Sequence, residues 1–208
     1  MGDLEASGPS VLKDRRVLLG VTGGIAAYKA CILTRLLRLR GASVRVIMTR
    51  SAERFVGPAT FAALSDHRVY TDLFEDAGHV LHVRLAREAD LVVVAPATAN
   101  VIAKLAFGIA DDLLTSTLLE ARCPFVIAPA MHTGMWEHGA TQANVAARAE
   151  RGLRIVGPVI GSLAAGDEGI GRMSEPEEIL GAIEAVLSRG EDLARRRIVV
   201  TAGPTWEP

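Results

Sequence analysis

The sequence Val17-Leu18-Leu19-Gly20-Val21-Thr22-Gly23-Gly24 is a short apolar run that ends in a glycine turn. A helical pattern over residues 26–40 follows it, and Gly41 supplies a stop. Strand, glycine turn and helix in this order are typical of the first βα unit of a parallel sheet, where free N–H groups at the helix N-terminus can bind a phosphate. The spacing is neither G-x-G-x-x-G nor that of a P-loop, so a tight turn without a ligand is the alternative.

Four further apolar runs continue this arrangement along the chain, at residues 44–48, 91–95, 124–128 and 154–156. Because the runs are apolar throughout, they suit strands that are covered on both faces. Helical patterns lie at residues 80–88 and 100–105, and a capping box of Ser174 and Glu177 predicts a last helix over residues 175–188. The pattern predicts an α/β fold: a Rossmann-like (flavodoxin-like), doubly wound parallel sheet with helices on both faces.

Composition narrows the class of protein. The 208 residues are 50% hydrophobic and 23% charged, which suits one ordinary α/β core. The net charge of -1 argues against a nucleic-acid or anionic-membrane partner, and no run reaches the ~18 apolar residues of a spanning helix. The N-terminus does not resemble a signal peptide, so we expect a cytoplasmic protein. Cys31 and Cys123 lie far apart without a CxxC, which favours core residues over a redox pair or a metal site.

The chain divides into three segments by pattern. Residues 1–15 are polar at first and aperiodic, and we expect a flexible tail. Residues 16–190 form the α/β domain. Residues 191–208 contain three arginines and then a new apolar run with its own glycine turn, which predicts a linker and the cut-short start of a second domain.

Polar residues follow the predicted strands at the edge where ligands bind in such sheets. Thr49 and Ser51 follow the second strand, where a dinucleotide site would have an acidic residue; they suit a phosphate or cap the next helix. Thr98 and Asn100 follow the third strand and either cap a helix or share a pocket with the glycine turn. Of the two acids that precede the apolar run from residue 113, we expect Asp111 to be the helix cap.

Several motifs together resemble one known family. They are residues 21–29 (VTGGIAAYK), 95–100 (APATAN), 110–113 (ADDL) and 129–131 (PAM). In this order they resemble the FMN-binding cysteine decarboxylases, in particular those that act on 4′-phosphopantothenoylcysteine, over about residues 16–189. The segment 200–205 (VTAGPT) is similar to the opening of phosphopantothenoylcysteine synthetase, a domain that many bacteria fuse behind the decarboxylase.

The resemblance implies FMN as the cofactor. The residues expected to hold its phosphate and ribityl chain are Gly23, Gly24, Ile25, Ala26, Ser51, Thr98, Ala99 and Asn100, with Thr49 added from its position after the second strand. Met131 would lie near the flavin ring, although an ordinary core methionine is the alternative. The resemblance also implies decarboxylation to 4′-phosphopantetheine in coenzyme A biosynthesis. In this reaction the thiol-bearing carbon is first oxidised, and the resulting C=S group accepts the electrons that remain when CO2 leaves.

The resemblance assigns catalytic positions with two departures from the family pattern. His82 occupies the position of the active-site histidine, and His79 is the near competitor; a metal held by this pair is not favoured. His132 stands where the family usually has an asparagine that binds the substrate carboxylate. Ala165 stands where many members have a cysteine that returns a proton to the enethiol intermediate. Either another donor or water supplies this proton, or the reduction of the enethiol is slowed.

The remaining expectations concern the substrate and the assembly. Met135, Arg172 and Met173 are expected to contact substrate, and the glycine-rich segment 157–173 is expected to act as a loop that closes over the pocket. The resemblance implies a homotrimer, and a larger particle when the second domain is fused. Two other functions stay open: a related enzyme that acts on a peptidyl-cysteine or a prenyl donor, and a flavin-binding regulatory subunit without catalysis.

Overall fold

The computed structural model describes residues 10–75 and 80–188. A six-stranded, wholly parallel sheet lies at its centre in the order β3-β2-β1-β4-β5-β6. The strands are β1 Arg16–Val21, β2 Ser43–Met48, β3 Val69–Tyr70, β4 Leu91–Ala97, β5 Phe125–Pro129 and β6 Arg154–Ile155. Strands β2 and β3 lie on one side of β1, and strands β4 to β6 lie on its other side. This strand order is the Rossmann arrangement rather than the flavodoxin one.

Helices cover both faces of the sheet. They are α1 Ala27–Leu39, α2 Pro58–Ser65, α3 Leu81–Glu88, α4 Ala99–Phe107, α5 Leu113–Glu120, α6 Thr133–Trp136, α7 Gly139–Glu150 and α8 Pro176–Ser188, with a 3₁₀ turn at Ala52–Arg54. No helix among the described residues has the length and apolar character needed to cross a membrane.

The central strands supply side chains to two separate cores. In β1, Val17 and Leu19 pack into the cluster beneath α1 and α8, whereas Leu18 packs into the cluster beneath α3 and α5. Successive side chains of a strand point to opposite faces, so both faces must be apolar. The predicted doubly wound sheet is therefore confirmed. The strand sequences are apolar without interruption because both faces of the sheet are buried.

Three local predictions are wrong. Residues 10–15 are not a loose tail, because Leu12 is fully buried in the first core and the Asp14 N–H donates to the Gly41 carbonyl at 3.0 Å. Asp112, not Asp111, caps α5, accepting from the Thr115 N–H at 2.7 Å. At the start of α8 the Glu178 carboxylate accepts from the Glu175 N–H, so the capping contact lies one residue beyond the Ser174–Glu177 pair.

The glycine-rich segment 157–173 is a hairpin rather than an irregular loop. Strands β7 Val159–Ser162 and β8 Glu168–Arg172 pair antiparallel, and residues 163–167 form the turn. Glycines occupy interior positions of both strands. Because strands are recognised in a sequence by their β-branched residues, these glycines hid the hairpin from the sequence-based prediction. His79 and residues 189–208, where the second domain was expected to begin, lie outside the described residues.

Candidate cofactor and active site

The turn between β1 and α1 presents free backbone donors at the carboxyl edge of the sheet. Within the described part of the chain, the N–H groups of residues 23–26 donate to no acceptor, and no side chain caps α1. The first turn of α1 contains no acidic residue. Free N–H groups and the positive end of the helix dipole together make a site for a phosphate. This part of the structure fits the phosphate of a mononucleotide such as FMN.

Thr22, a residue that the sequence analysis did not select, ties this turn to the end of β4. Its buried hydroxyl donates to the Pro96 carbonyl at 2.7 Å and accepts from the Thr98 N–H at 3.2 Å. Thr98 in turn caps α4, with its hydroxyl accepting from Val101 N–H at 3.5 Å. Thr98 therefore has the capping role and also lies beside the glycine turn. A buried polar residue inside a glycine turn was the signal that could have identified Thr22.

Ser51 packs against the same turn from the β2 side. A Cβ placed on Gly23 would lie 2.4 Å from the Ser51 Cβ, so only glycine permits this approach. A Cβ on Gly24 would meet nothing closer than 4.0 Å, and the space beside it is open. The Thr49 hydroxyl accepts from the Ala52 N–H at 3.3 Å, at the start of the 3₁₀ turn whose N-cap is Ser51. The structure thus brings together the glycine turn, Ser51 and Thr98, while Asn100 is exposed on the first turn of α4.

The loop after β5 is clamped by the hairpin. The Met131 N–H donates to the Gly171 carbonyl at 3.0 Å. Cβ atoms on Gly169 or Gly171 would lie 2.2 Å from the Thr133 hydroxyl and 2.1 Å from the Met131 carbonyl oxygen. These glycines therefore serve close packing of β8 on residues 131–133. Met131 is half-buried beside the second core, and Met135 is 51% exposed on α6.

His132 pairs with the turn of the hairpin. Its Nε2 lies 2.9 Å from Oδ2 of Asp167, and both side chains are about half exposed, at 49% and 46%. Asp167 was not selected from the sequence, because nothing local predicts that the hairpin folds back on the β5 loop. His132, the residue directly after Met131, is therefore a hydrogen-bond donor that already binds one carboxylate. Ala165 is exposed in the same turn.

The base of the hairpin is joined to α1 through Glu175. The buried Lys29 ammonium donates to Glu175 Oε1 at 2.9 Å and to the Met173 carbonyl at 3.0 Å, and Arg172 Nη2 donates to Glu175 at 2.6 Å. The hydrogen bond from Lys29, and then the charges of Lys29 and Arg172, lower the pKa of Glu175. Met173 is fully buried in the first core, so its side chain is not exposed to a ligand in this structure, and its contact with substrate stays a prediction.

His82 stands apart from this cluster. It is the second residue of α3 and is partly exposed, and no hydrogen bond or ion pair joins it to another described residue. Helix α3 packs against α5 on the second core. The glycine turn and the His132 loop follow β1 and β5, which flank β4, whereas His82 follows the edge strand β3. Within one chain, the structure does not bring His82 into contact with either. Its role stays a prediction.

Comparison with known proteins gives one consistent result. A family model described as Flavoprotein matches residues 5–188. The coenzyme A biosynthesis bifunctional protein CoaBC of Mycobacterium tuberculosis is 54% identical over 198 residues, which are 93% of this chain and 47% of that protein. The chain therefore spans about half the length of the curated relatives it matches.

Solved structures agree in fold. The FMN-dependent cysteine decarboxylase SpaF is 37% identical with a TM-score of 0.76, covering 86% of this chain and 99% of that one. A PPC decarboxylase variant complexed with pantothenoylaminoethenethiol is 33% identical with a TM-score of 0.78, covering 85% of this chain and 100% of that one. The family model over residues 5–188 and these matches show that the chain belongs to the Flavoprotein family.

Proposed function

We propose that this domain is an FMN-dependent decarboxylase that converts 4′-phosphopantothenoylcysteine to 4′-phosphopantetheine in coenzyme A biosynthesis. The observation that carries the proposal is the turn of free N–H groups at residues 23–26, which can bind a phosphate; Ser51 packs against this turn, and Thr98 is bonded to the preceding residue, Thr22. The identity to CoaBC and to the PPC decarboxylase structure selects the substrate.

The N–H groups of residues 23–26 would hold the FMN phosphate, with the Ser51 and Thr98 hydroxyls beside it. When bound, FMN would supply oxidation of the thiol-bearing carbon to C=S, and this C=S group would accept the electrons that departing CO2 leaves on the neighbouring carbon. Met131 would contact the ring, because its backbone is fixed by Gly171 at the mouth of the site.

His132 would bind the substrate carboxylate. Its Nε2 already pairs with a carboxylate, that of Asp167, and a charge-assisted hydrogen bond to the substrate would replace this contact. His82 would accept a proton, the role that the resemblance to the family gives to this position. Arg172 is held by Glu175 at the base of the hairpin and would bind the substrate from there. Ala165 has no group that can donate a proton, so water or another side chain would return it.

We further propose that the domain assembles as a trimer in the cytoplasm. Ile25 in the cofactor turn and Tyr28 and Ile32 on α1 are exposed apolar residues at helical spacing, with exposed fractions of 64%, 54% and 44%. A neighbouring subunit that covers these residues would also shield the flavin and could supply the distant His82. Light scattering on the purified domain tests the trimer, and cell fractionation tests the location. A monomer would refute the assembly.

The direct test incubates the flavin-loaded protein with 4′-phosphopantothenoylcysteine and measures CO2 and 4′-phosphopantetheine. We expect both products in equal amounts. Flavin binding without CO2 would refute the enzymatic proposal and leave a flavin-binding regulatory subunit. CO2 with accumulation of the enethiol would show that Ala165 limits the reductive half. Parallel reactions with a peptide ending in cysteine and with a prenyl phosphate separate this substrate from the other two.

A further inference from the structure

A cavity of about 390 Å³ opens at the edge of the sheet opposite the cofactor turn. Residues 122–125, which lead into β5, form one wall, and residues 148 and 151–153, which lead into β6, form the other. Both strands run parallel to the sheet whose carboxyl edge carries residues 22–26. The cavity therefore lies at the amino-terminal edge and is separate from the proposed active site.

Three arginines line this cavity, and no acidic residue does. Arg122, Arg148 and Arg151 make no side-chain hydrogen bond or ion pair with any residue in the described ranges. The Nε atom of Arg148 is buried and has no hydrogen-bond partner. A buried guanidinium donor without an acceptor is costly, so its presence indicates that an acceptor from outside the chain is to be expected.

The surroundings do not neutralise these charges. Burial, and then the charge of Arg151, lower the pKa of the Arg148 guanidinium, because both disfavour its charged form. Arg148 lies in the last turn of α7. The free carbonyl groups at this helix end carry about half a negative charge, which is much less than the three positive charges of the arginines.

Cys123, the other titratable residue that lines the cavity, contributes no negative charge either. Burial raises the pKa of the Cys123 thiol, so it stays neutral near pH 7. The carboxylate whose charge reaches this thiol is Asp90. It is already held by Arg16 through hydrogen bonds of 3.2 Å to Nε and 3.1 Å to Nη2.

We propose that this cavity is a binding site for a small molecule that carries a diphosphate or longer polyphosphate group. Guanidinium groups match the geometry of phosphate oxygens, and three of them exceed the charge of a single phosphate monoester. The cavity volume lies within the range of small-molecule sites, and Phe125 and Leu153 give it an apolar wall beside the charges. Inorganic pyrophosphate and the diphosphate of a nucleotide share the required chemistry.

The test measures binding of pyrophosphate and of adenosine diphosphate to the flavin-loaded protein by calorimetry, at constant ionic strength. The test variant is Arg122→Ala/Arg151→Ala, because both side chains are exposed and their removal spares the cores. The matched control is Arg35→Ala, another exposed arginine without a described partner, on α1. Flavin fluorescence is followed in the same titration, so that competition at the FMN phosphate turn is detected separately.

We expect saturable one-site binding of pyrophosphate with retained flavin. The double variant should bind at least about tenfold more weakly, because two charge-assisted contacts are lost, while Arg35→Ala should bind as the parent protein does. Tighter binding of adenosine diphosphate would identify a nucleotide as the source, and equal binding would identify the phosphate groups alone. Equal binding by the parent and the double variant, or binding only with loss of flavin, would overturn the proposal. Neither result depends on decarboxylase activity.

Discussion

Replacement of Gly23 by alanine tests the cofactor turn most directly. The added Cβ would lie 2.4 Å from the Ser51 Cβ and 3.0 Å from the Ser51 carbonyl carbon. Part of the obstacle is backbone, so rotation of a side chain cannot relieve it and the turn must shift. Overpacking of this kind costs about 1–3 kcal/mol. For a domain of this size that corresponds to a fall in Tm of the flavin-free protein of about 2–12 °C.

The same shift should weaken FMN binding. Displacement of the turn removes at least one N–H group from the phosphate, and a hydrogen bond to a charged group is worth about 1.5–3 kcal/mol. We therefore expect the Kd for FMN, measured by flavin fluorescence, to rise by about 10- to 150-fold. Thermal unfolding of the flavin-free protein measures the structural part separately.

Gly24→Ala is the matched control, because its Cβ meets no protein atom closer than 4.0 Å. It should leave the Tm of the flavin-free protein within about 2 °C and weaken only FMN binding, since the new methyl group enters the open space of the site. In a Gly23→Ala background, Ser51→Gly should recover part of the lost stability by removing the nearer of the two clashing groups. An unchanged Tm and Kd in Gly23→Ala would refute the reasoning.

Three further predictions follow from individual contacts. Asp112→Ala should lower the free energy of unfolding by about 1 kcal/mol in denaturant titration, because it removes the α5 cap. Asp111→Ala removes an exposed pair with Lys104 and a long 3.5 Å contact from the Thr115 hydroxyl, so it should cost less; equal losses would contradict this assignment. The hydrogen bond from Arg16 lowers the pKa of Asp90, so this pair stabilises the fold above the unfolded-state pKa and the benefit is lost as pH falls through the folded-state pKa. Asp90→Asn should therefore cost about 1 kcal/mol at pH 7 and flatten the acid limb of stability against pH, and an unchanged acid limb would rule out Asp90 as a source. His132→Ala should raise the KM for 4′-phosphopantothenoylcysteine by about tenfold or more, while His132→Asn, the residue usual in the family, should retain most of the affinity; a KM unchanged in His132→Ala would exclude this histidine from carboxylate binding.

The sequence predicted contacts that are local in the chain and missed those that are not. The glycine turn after β1 and the cap at Thr98 were recognisable because each depends on a few consecutive residues. The buried Thr22 bridge joins residues 74 apart, and the Lys29–Glu175 pair joins residues 146 apart. No periodicity or local motif reports such partners, because only the folded chain brings them together.

The hairpin shows the same division. Its glycines resembled a loosely ordered loop, although Gly169 and Gly171 are there for close packing against residues 131–133. The pairing of His132 with Asp167 follows from that packing, and it was invisible in the sequence. Resemblance pointed to His132 as a site residue, but only the structure showed which carboxylate it already holds.

The sequence by itself determined the doubly wound sheet and the glycine turn after its first strand, because apolar runs and a glycine turn are properties of neighbouring residues. Tertiary structure alone decided which side chains surround that turn and how the hairpin meets the β5 loop. It also gathered Arg122, Arg148 and Arg151 into one cavity, since these residues come from segments that meet only where two parallel strands begin. Charge and packing in a site depend on distances through space, and a sequence records only distances along the chain.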